Sequence, residues 1–510
     1  MNSPVEPLKQ LFNQAYTAYN NGDSKKALTT AYLILQQDAG NGDAYQIASM
    51  SEANLGDLKA ALVLQHEAIY RQPTNPQFFY NLGVLQQQNS HNEGAMLSYQ
   101  MCLRLDPNHA DALWNYGDLL RLNEHFKQAI ICFERLIELN KPYTGLQHRL
   151  AVAYHGIGRD RAAARCFEAA LATPDRDNHI THWEYSHVLL AQGQMRAGWQ
   201  AYEYRYRISG DACIAVHPFE YPRWQGESLE GKTLLIHGEQ GIGDELMFAS
   251  IIPVLLGEGA RLVIACHPAL CRLFQTSFPQ CTVVPHAPAG NIARVDHYEP
   301  IDYEVPICSL AYFRGPFDTQ QPATAPYLHA DPSRINYFAH RLGQLAGAPH
   351  KKRLVGIMWS ANPATGSDWG QRRGLQKSVP VEQLSLLASQ REEIQFVSLQ
   401  NRDSGLQAAH APGLNLIDLH QELLDFADTA ALAANMDLII SVDTSVAHLC
   451  GGMGKPVWIL LKHHPDWRWL SEGDRSYWYN NARLFRQQKK NNWYPVLEEI
   501  EQQLANLSPS

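Results

Sequence analysis

PQFFYNLGVLQQQNSHNEGAMLSYQMCLRLDPNH, residues 76–109, and ADALWNYGDLLRLNEHFKQAIICFERLIELNKPY, residues 110–143, are successive blocks of one 34-residue repeat. Each opens with aromatic and apolar residues (Tyr80, Leu82, Gly83; Trp114, Tyr116, Gly117) and carries alanine in the middle of its second half (Ala95; Ala129). At the same step outward, one ladder reads Gly22, Gly56, Ser90, Glu124, Gly158 and another Ala27, Ala61, Ala95, Ala129, Ala163. The pattern predicts two helices per block, with small residues where they cross closely. Pro73 and Pro107 end the second helix of their blocks, because proline cannot continue the hydrogen-bond ladder.

A period of this length with a small residue at the second ladder is the signature of the tetratricopeptide repeat (TPR), a stacked helix-turn-helix array. A fifth block, 144–177, keeps Tyr154, Gly158, Ala163 and Phe167. A sixth is irregular: Gly193 comes 35 residues after Gly158, and Gly198-Trp199-Gln200-Ala201-Tyr202-Glu203-Tyr204-Arg205 replaces the usual second helix. An atypical last repeat is expected where a solenoid caps or joins another domain. Residues 1–207 are therefore expected to form a TPR superhelix of about six helix pairs. Its aromatics follow the repeat and read as inter-helix packing. Its concave groove suits a polypeptide partner.

The bulk properties narrow the rest. At 510 residues the chain exceeds one core, so two or three domains are expected. A net charge of -9 gives no electrostatic reason for a nucleic acid or an anionic membrane as main partner. Met1 to Gln10 is polar, and no stretch approaches the ~20 apolar residues of a membrane span. The nine cysteines contain no CxxC pair, and Cys132 and Cys166 share one repeat position as small core residues. A reduced, cytoplasmic protein without structural zinc is the expectation. HExxH and GxSxG are absent, and the Asp-x-Asp triplet Asp175-Arg176-Asp177 reads as a turn within the repeats.

After Trp224 the texture changes to short β-rich runs alternating with helical patterns, which predicts parallel α/β units. A first lobe has strands at Thr233–His237, Leu262–Cys266, Thr282–Pro285 and Tyr303–Ile307, with a helix over Asp244–Leu256. A Pro-rich linker spans about 315–332. The second lobe has strands at Leu354–Trp359, Gln395–Leu399, Leu438–Val442 and Val457–Leu461, with helices near Val381–Ser389, Asp428–Met436 and Thr444–Met453. Such lobes hold ligands at the carboxyl ends of their strands. The expected boundaries are 208–335 for an acceptor-side lobe and 336–510 for a donor-side lobe with a C-terminal helix.

Four constellations could carry chemistry. His237-Gly238-Glu239-Gln240-Gly241-Ile242-Gly243-Asp244-Glu245 leaves a strand and opens a helix. Its glycines permit a close backbone approach, but the spacing is neither GxGxxG nor a P-loop. Acids there suit a general base acting on a hydroxyl; equally, Asp244 can be a helix N-cap. Ser441-Val442-Asp443-Thr444-Ser445-Val446-Ala447-His448 is the second. Asp443 can cap the helix, while the Thr444 and Ser445 N–H groups can hold a phosphate at the helix dipole, with His448 as a further donor or a buried core histidine. The third is the loop after Trp359, Ser360-Ala361-Asn362-Pro363, with Arg372, Arg373 and Lys377. These are either cations for a departing diphosphate or a solvated basic loop. The fourth, Pro465-Asp466-Trp467-Arg468-Trp469, stacks a base or packs a lobe interface; packing is the favoured reading.

Together these residues resemble bacterial TPR-linked glycosyltransferases whose catalytic part is similar to heptosyltransferase-type GT-B enzymes. The resemblance covers essentially the whole chain, including Trp199, Tyr202, Glu203 and Arg205. The layout is also similar to that of eukaryotic O-GlcNAc transferase and of TPR flagellin glycosyltransferases. It implies a GT-B fold of two Rossmann-like lobes after the TPR α-solenoid. It implies a nucleotide-sugar co-substrate in the second lobe, with no metal or other cofactor. Asp244 matches the proposed catalytic base, with Glu239 beside it. Asp443, Thr444, Ser445 and His448 match the donor-phosphate motif. Gly241, Gly243, Trp359, Arg372, Arg373, Lys377 and Gln400 complete the donor-binding set, although the family's cleft lysine falls here within a longer basic insertion.

The expected activity is inverting, metal-independent transfer to Ser or Thr hydroxyls of a protein, flagellin among the candidates, held by the TPR groove. Two alternatives stand beside it: a TPR scaffold with a degenerate transferase domain, and a transferase acting on a glycan or lipid-linked sugar.

Overall fold

The computed structural model describes residues 5–172, 178–209, 219–286, 300–315, 326–346, 352–361, 374, 376–388, 393–400 and 413–506. The chain forms two compact units, Met1–Arg176 and Asp177–Ser510.

The first unit is five helix pairs: Val5–Asn20 with Ser24–Gln37, Gly42–Leu55 with Leu58–Arg71, Pro76–Gln88 with Asn92–Leu105, Ala110–Leu122 with Phe126–Glu138, and Leu146–Gly156 with Asp160–Leu171. The two ladders now have physical causes. Gly22, Gly56, Ser90, Glu124 and Gly158 all take positive φ, between 58° and 95°, the left-handed turn that ends each first helix. The following N–H reaches back over that turn, as from Asp57 to the Glu52 carbonyl at 3.0 Å and from His91 to the Gln86 carbonyl at 2.8 Å. The five ladder alanines are all 0% exposed. The helices of a pair also cross closely at Gly83 and Gly117, where an added Cβ would stand 2.5 Å from the Tyr99 ring and 2.7 Å from the Phe133 ring. Asp23, Asn41, Asp57 and Asn75 cap the helices that follow them with side-chain oxygens.

The second unit opens with the sixth pair, Asn178–Ala191 and Met195–Tyr202, which runs into a 3-10 turn at Glu203–Arg207. Leu190, Trp199 and Tyr202 belong to the main core of this unit. Trp199 meets Phe248, Trp467 and Trp478 edge-on, with centroids 5.6, 5.4 and 6.2 Å away.

Two parallel sheets follow. β1 (Thr233–His237), β2 (Arg261–Cys266), β3 (Thr282–Pro285) and β4 (Tyr303–Pro306) lie in the order β3-β2-β1-β4. β5 (Arg353–Met358), β6 (Ile394–Ser398), β7 (Leu416–Ile417), β8 (Leu438–Val442), β9 (Val457–Leu461) and β10 (Ala482–Arg486) lie in the order β10-β9-β8-β5-β6-β7. β1 and β8 are buried along their whole length, as strands covered on both faces must be. In each sheet the strand order turns back once, at β1/β4 and at β5/β8. Loops leaving the carboxyl ends of such a pair frame a crevice where doubly wound sheets hold ligands.

Three expectations on elements change. The helix expected over 244–256 is broken into Ile242–Phe248, a 3-10 turn at Ala249–Ile251 and Ile252–Gly257, with Pro253 placed where its missing N–H costs least. Val381–Ala388 is a 3-10 helix rather than an α-helix. β7 and β10 had no sequence counterpart: β7 has two residues, and in β10 Arg483 and Arg486 interrupt the apolar run.

Candidate functional site

The loops that leave both turn-back points carry most of the chemistry-bearing residues. After β1, Gly241 is the N-cap of the helix Ile242–Phe248 and Asp244 stands three residues inside it. Asp244 is therefore not the N-cap, the alternative that its side-chain chemistry left open. Its Oδ2 accepts the Gly241 N–H at 3.3 Å, and its Oδ1 accepts Arg468 Nε at 3.0 Å and also Arg468 Nη2. Arg468 comes from the 3-10 turn Trp467–Trp469 after β9. It also donates to Asp466 and lies 4.2 Å over the Trp467 ring. Only 14% and 13% of the Arg468 and Asp244 side chains are exposed.

Glu239 is engaged on both oxygens. Arg205 Nε reaches Oε2 at 3.1 Å and Nη2 reaches Oε1 at 2.8 Å, and the Tyr206 hydroxyl donates to Oε2. Burial would raise the Glu239 carboxyl, but the Arg205 charge and these hydrogen bonds outweigh it and hold it below the usual range. In this arrangement Glu239 anchors the loop. The acid after Asp244, Glu245, is buried and has no cation paired with it among the described residues. Burial, with a contribution from Asp244, pushes it up to about 8, although it accepts the His267 N–H at 2.9 Å.

Gly243 brings the two sheets' helices together. A Cβ there would lie 3.2 Å from His448 Cδ2 and 3.6 Å from Ser445 Cα. Gly241 has more room, since its nearest neighbour would be Asp244 Oδ2 at 3.6 Å.

After β8, the N-cap of the helix Ser445–Gly452 is Thr444, not Asp443. Asp443 is drawn away by stronger partners: Lys377 Nζ at 2.6 Å from Oδ2, and the Trp469 indole N–H at 2.8 Å from Oδ1. Burial opposes its charge, yet Lys377 keeps Asp443 below the usual carboxylate range. The Thr444 hydroxyl meets Ser441 Oγ at 3.2 Å. No side chain caps the helix of Ser445.

His448 is buried, with its ring stacked on Trp469 at 5.0 Å and 18°. Burial pushes it down to about 3, so it is neutral in the fold. Its Nδ1 lies 2.9 Å from the Tyr479 hydroxyl, and the Tyr327 hydroxyl donates to the Leu246 carbonyl at 2.9 Å.

At β5, Trp359 is 1% exposed and its ring lies in a core cluster. Its backbone N–H and that of Ser360 donate to Gln400 Oε1 at 3.1 and 3.0 Å. Gln400 Nε2 is buried and has no hydrogen-bond partner among the described residues, a donor left at the carboxyl end of β6. Arg372 and Arg373 lie outside the described residues. Among the described residues, no three His, Cys, Asp or Glu side chains gather as metal ligands would, and no helix is long and apolar enough to cross a membrane.

Three parts of this arrangement were not singled out in the sequence as site residues: Arg468 as the partner of Asp244, Arg205 as the partner of Glu239, and Tyr479 as the partner of His448. The first two did carry a signal, an arginine flanked by aromatics in Trp467-Arg468-Trp469 and Tyr204-Arg205-Tyr206.

Residues 5–209 match the family model described as tetratricopeptide repeat. Protein FlbA of Caulobacter vibrioides is 27% identical over 394 residues, which cover 73% of this chain and 63% of that protein, less than two thirds of its length. Among solved structures, MamA aligns with a TM-score of 0.30 at 19% identity over 33% of this chain and 92% of its own. A tetratricopeptide repeat protein from Parabacteroides merdae aligns with a TM-score of 0.33 at 18% identity over 40% of this chain and 81% of its own. Residues 5–209 thus form a tetratricopeptide repeat array, and a parallel-sheet α/β region follows it.

Proposed function

We propose that the α/β region is a GT-B glycosyltransferase, inverting and independent of metal, and that the TPR array presents its protein acceptor. The observation that carries this reading is the meeting of two helix starts, one from each sheet, with Gly243 against His448 and Asp244 against Arg468. A carboxylate and a guanidinium there match the two needs of the reaction. Asp244 takes the proton of a Ser or Thr hydroxyl as that oxygen bonds to the anomeric carbon. The bond from that carbon to the donor's phosphate oxygen breaks, and its electron pair leaves with the nucleotide. Cationic side chains and the N–H groups at Thr444 and Ser445 receive the charge. Flagellin is a candidate acceptor.

A thermal-shift panel of the full chain with UDP, GDP, ADP and CMP tests the reading. Ligand at ~100 times its dissociation constant adds about 2.7 kcal/mol to the stability of the unit that binds it. A shift with one nucleotide supports a donor site and names the donor class for transfer assays. No shift with any of them favours a TPR scaffold whose α/β region is not catalytic.

A further inference from the structure

We propose that Arg468 is the cation that receives the donor's diphosphate, and that its ion pair with Asp244 is a latch which the incoming diphosphate opens. The proposal rests on the glycosyltransferase reading and assigns that site's unassigned cation.

The geometry supports competition for one guanidinium. Arg468 spends Nε and Nη2 on Asp244 Oδ1 and Nη1 on Asp466. A diphosphate bound in the same fork geometry needs two adjacent N–H donors, and the Asp244 side holds such a pair. The second described cation of the site, Lys377, is held by Asp443 at 2.6 Å. His448 is neutral and contributes no charge. The site is therefore electrostatically closed to an anion until an ion pair opens. The Asp244–Arg468 pair links the loop after β1 to the turn after β9, and breaking it does two things at once. It frees the guanidinium for phosphate oxygens and leaves the Asp244 carboxylate to accept the proton of the attacking hydroxyl. In the empty protein the same oxygen is occupied, so a base without a donor is held inactive. Asp466 stays on Arg468 throughout and keeps the guanidinium aimed, stacked on the Trp467 ring.

A competitor for a binding group weakens binding, so removing its charge must strengthen it. Titration calorimetry on the full chain with UDP, GDP, ADP and inorganic pyrophosphate is the test. For the diphosphate that binds, Asp244→Asn tightens affinity by on the order of tenfold, the scale of an ordinary coupling between two ligands of one group. Arg468→Gln weakens it by a similar factor, and Arg468→Lys restores part of the loss. In the double variant the gain from Asp244→Asn disappears, because no guanidinium is left to release. A purely structural pair gives the opposite sign, since Asp244→Asn would then loosen the site and weaken binding. Unchanged or weaker diphosphate binding by folded Asp244→Asn overturns the latch and leaves the donor site standing. Binding by Asp244→Asn but not by wild type supports it. No binding of any of these diphosphates by either protein overturns the latch, and a shift with CMP in the thermal panel then keeps the glycosyltransferase reading while no shift there overturns it too.

Discussion

Arg205 holds Glu239 through two hydrogen bonds, Nε to Oε2 at 3.1 Å and Nη2 to Oε1 at 2.8 Å, with 0% of the arginine side chain exposed. The same guanidinium donates to Ser309 Oγ at 2.8 Å and to Glu203 at 2.7 Å. Glu239 follows β1 and Ser309 follows β4, so one buried arginine ties together the two loops that frame the first sheet's crevice. Arg205 belongs to the 3-10 turn that ends the sixth helix pair. The end of the repeat thus sets the loop that carries Asp244.

Removing Arg205 leaves the buried Glu239 charge uncompensated, at a cost of about 3–5 kcal/mol, while removing the Glu239 charge leaves Arg205 with Glu203 alone and costs less. Glu239→Gln and Arg205→Met should each lower the unfolding transition of the α/β unit, followed by differential scanning calorimetry. Acid should reproduce the effect in the wild type. The folded carboxyl lies below its unfolded value of 4.5, so the unfolded chain takes the proton first. The contribution of Glu239 is complete above 4.5 and fades as the pH falls through the lower folded value. A transition of Glu239→Gln that matches the wild type at pH 7 would show that the pair does not hold the loop.

Glu245 should show the opposite pH dependence. Its folded carboxyl is pushed from 4.5 up to about 8, so the folded state keeps a proton that the unfolded chain releases. Wild-type stability is unpenalised below 4.5 and is lost progressively as the pH rises toward 8. Glu245→Gln stays neutral at every pH and keeps an acceptor for the His267 N–H. Its melting temperature should approach that of the wild type near pH 5 and exceed it near pH 8. Parallel curves for the two proteins would place Glu245 in an ionised environment instead.

His448 should not titrate between pH 5 and 8. Its ring is pushed by burial from 6.5 down to about 3. Nitrogen-15 histidine spectra, assigned with His448→Gln, read the titration. A midpoint near the ordinary value would show that burial does not hold the ring neutral. Tyr479→Phe removes the hydroxyl 2.9 Å from His448 Nδ1, which costs about 1–3 kcal/mol for a buried group left unpaired.

The repeat was legible in the sequence because its spacing is set by packing alone. Ala95 and Ala129 recur where helices cross, and no distant residue alters that need. Strands β1 and β8 were legible for a related reason: a strand buried on both faces is a continuous apolar run. The site was legible in its positions and less so in its pairings. That Asp244 and Asp443 follow strands and precede helices is a local fact. That Asp244 meets Arg468 and Asp443 meets Lys377 is decided by long-range topology, which also removed Asp443 from the N-cap that its residue type predicts. His448 is a further case: its spacing to Thr444 is local, while its partners, the Tyr479 hydroxyl at Nδ1 and the Trp469 ring stacked on it, are set by the fold.

The turn ladder yields a prediction for the array itself. Ser90 holds φ 58° where the same position is Gly22 at 80°, Gly56 at 95° and Gly158 at 73°. A residue with a Cβ loses about 1–2 kcal/mol in that left-handed region, and glycine does not. Glycine also loosens the unfolded chain, which offsets part of the gain. Ser90→Gly should therefore stabilise the first unit by up to about 1 kcal/mol. Gly56→Ala should destabilise it by a similar amount, although a Cβ at Gly56 meets nothing within 4 Å. That open space makes the pair informative: any loss in Gly56→Ala comes from backbone conformation and none from a clash. Chemical denaturation of the full chain, reading the first unit's tryptophan Trp114, measures both. A loss in Ser90→Gly together with no change in Gly56→Ala would mean that the left-handed turn is not what the ladder selects for.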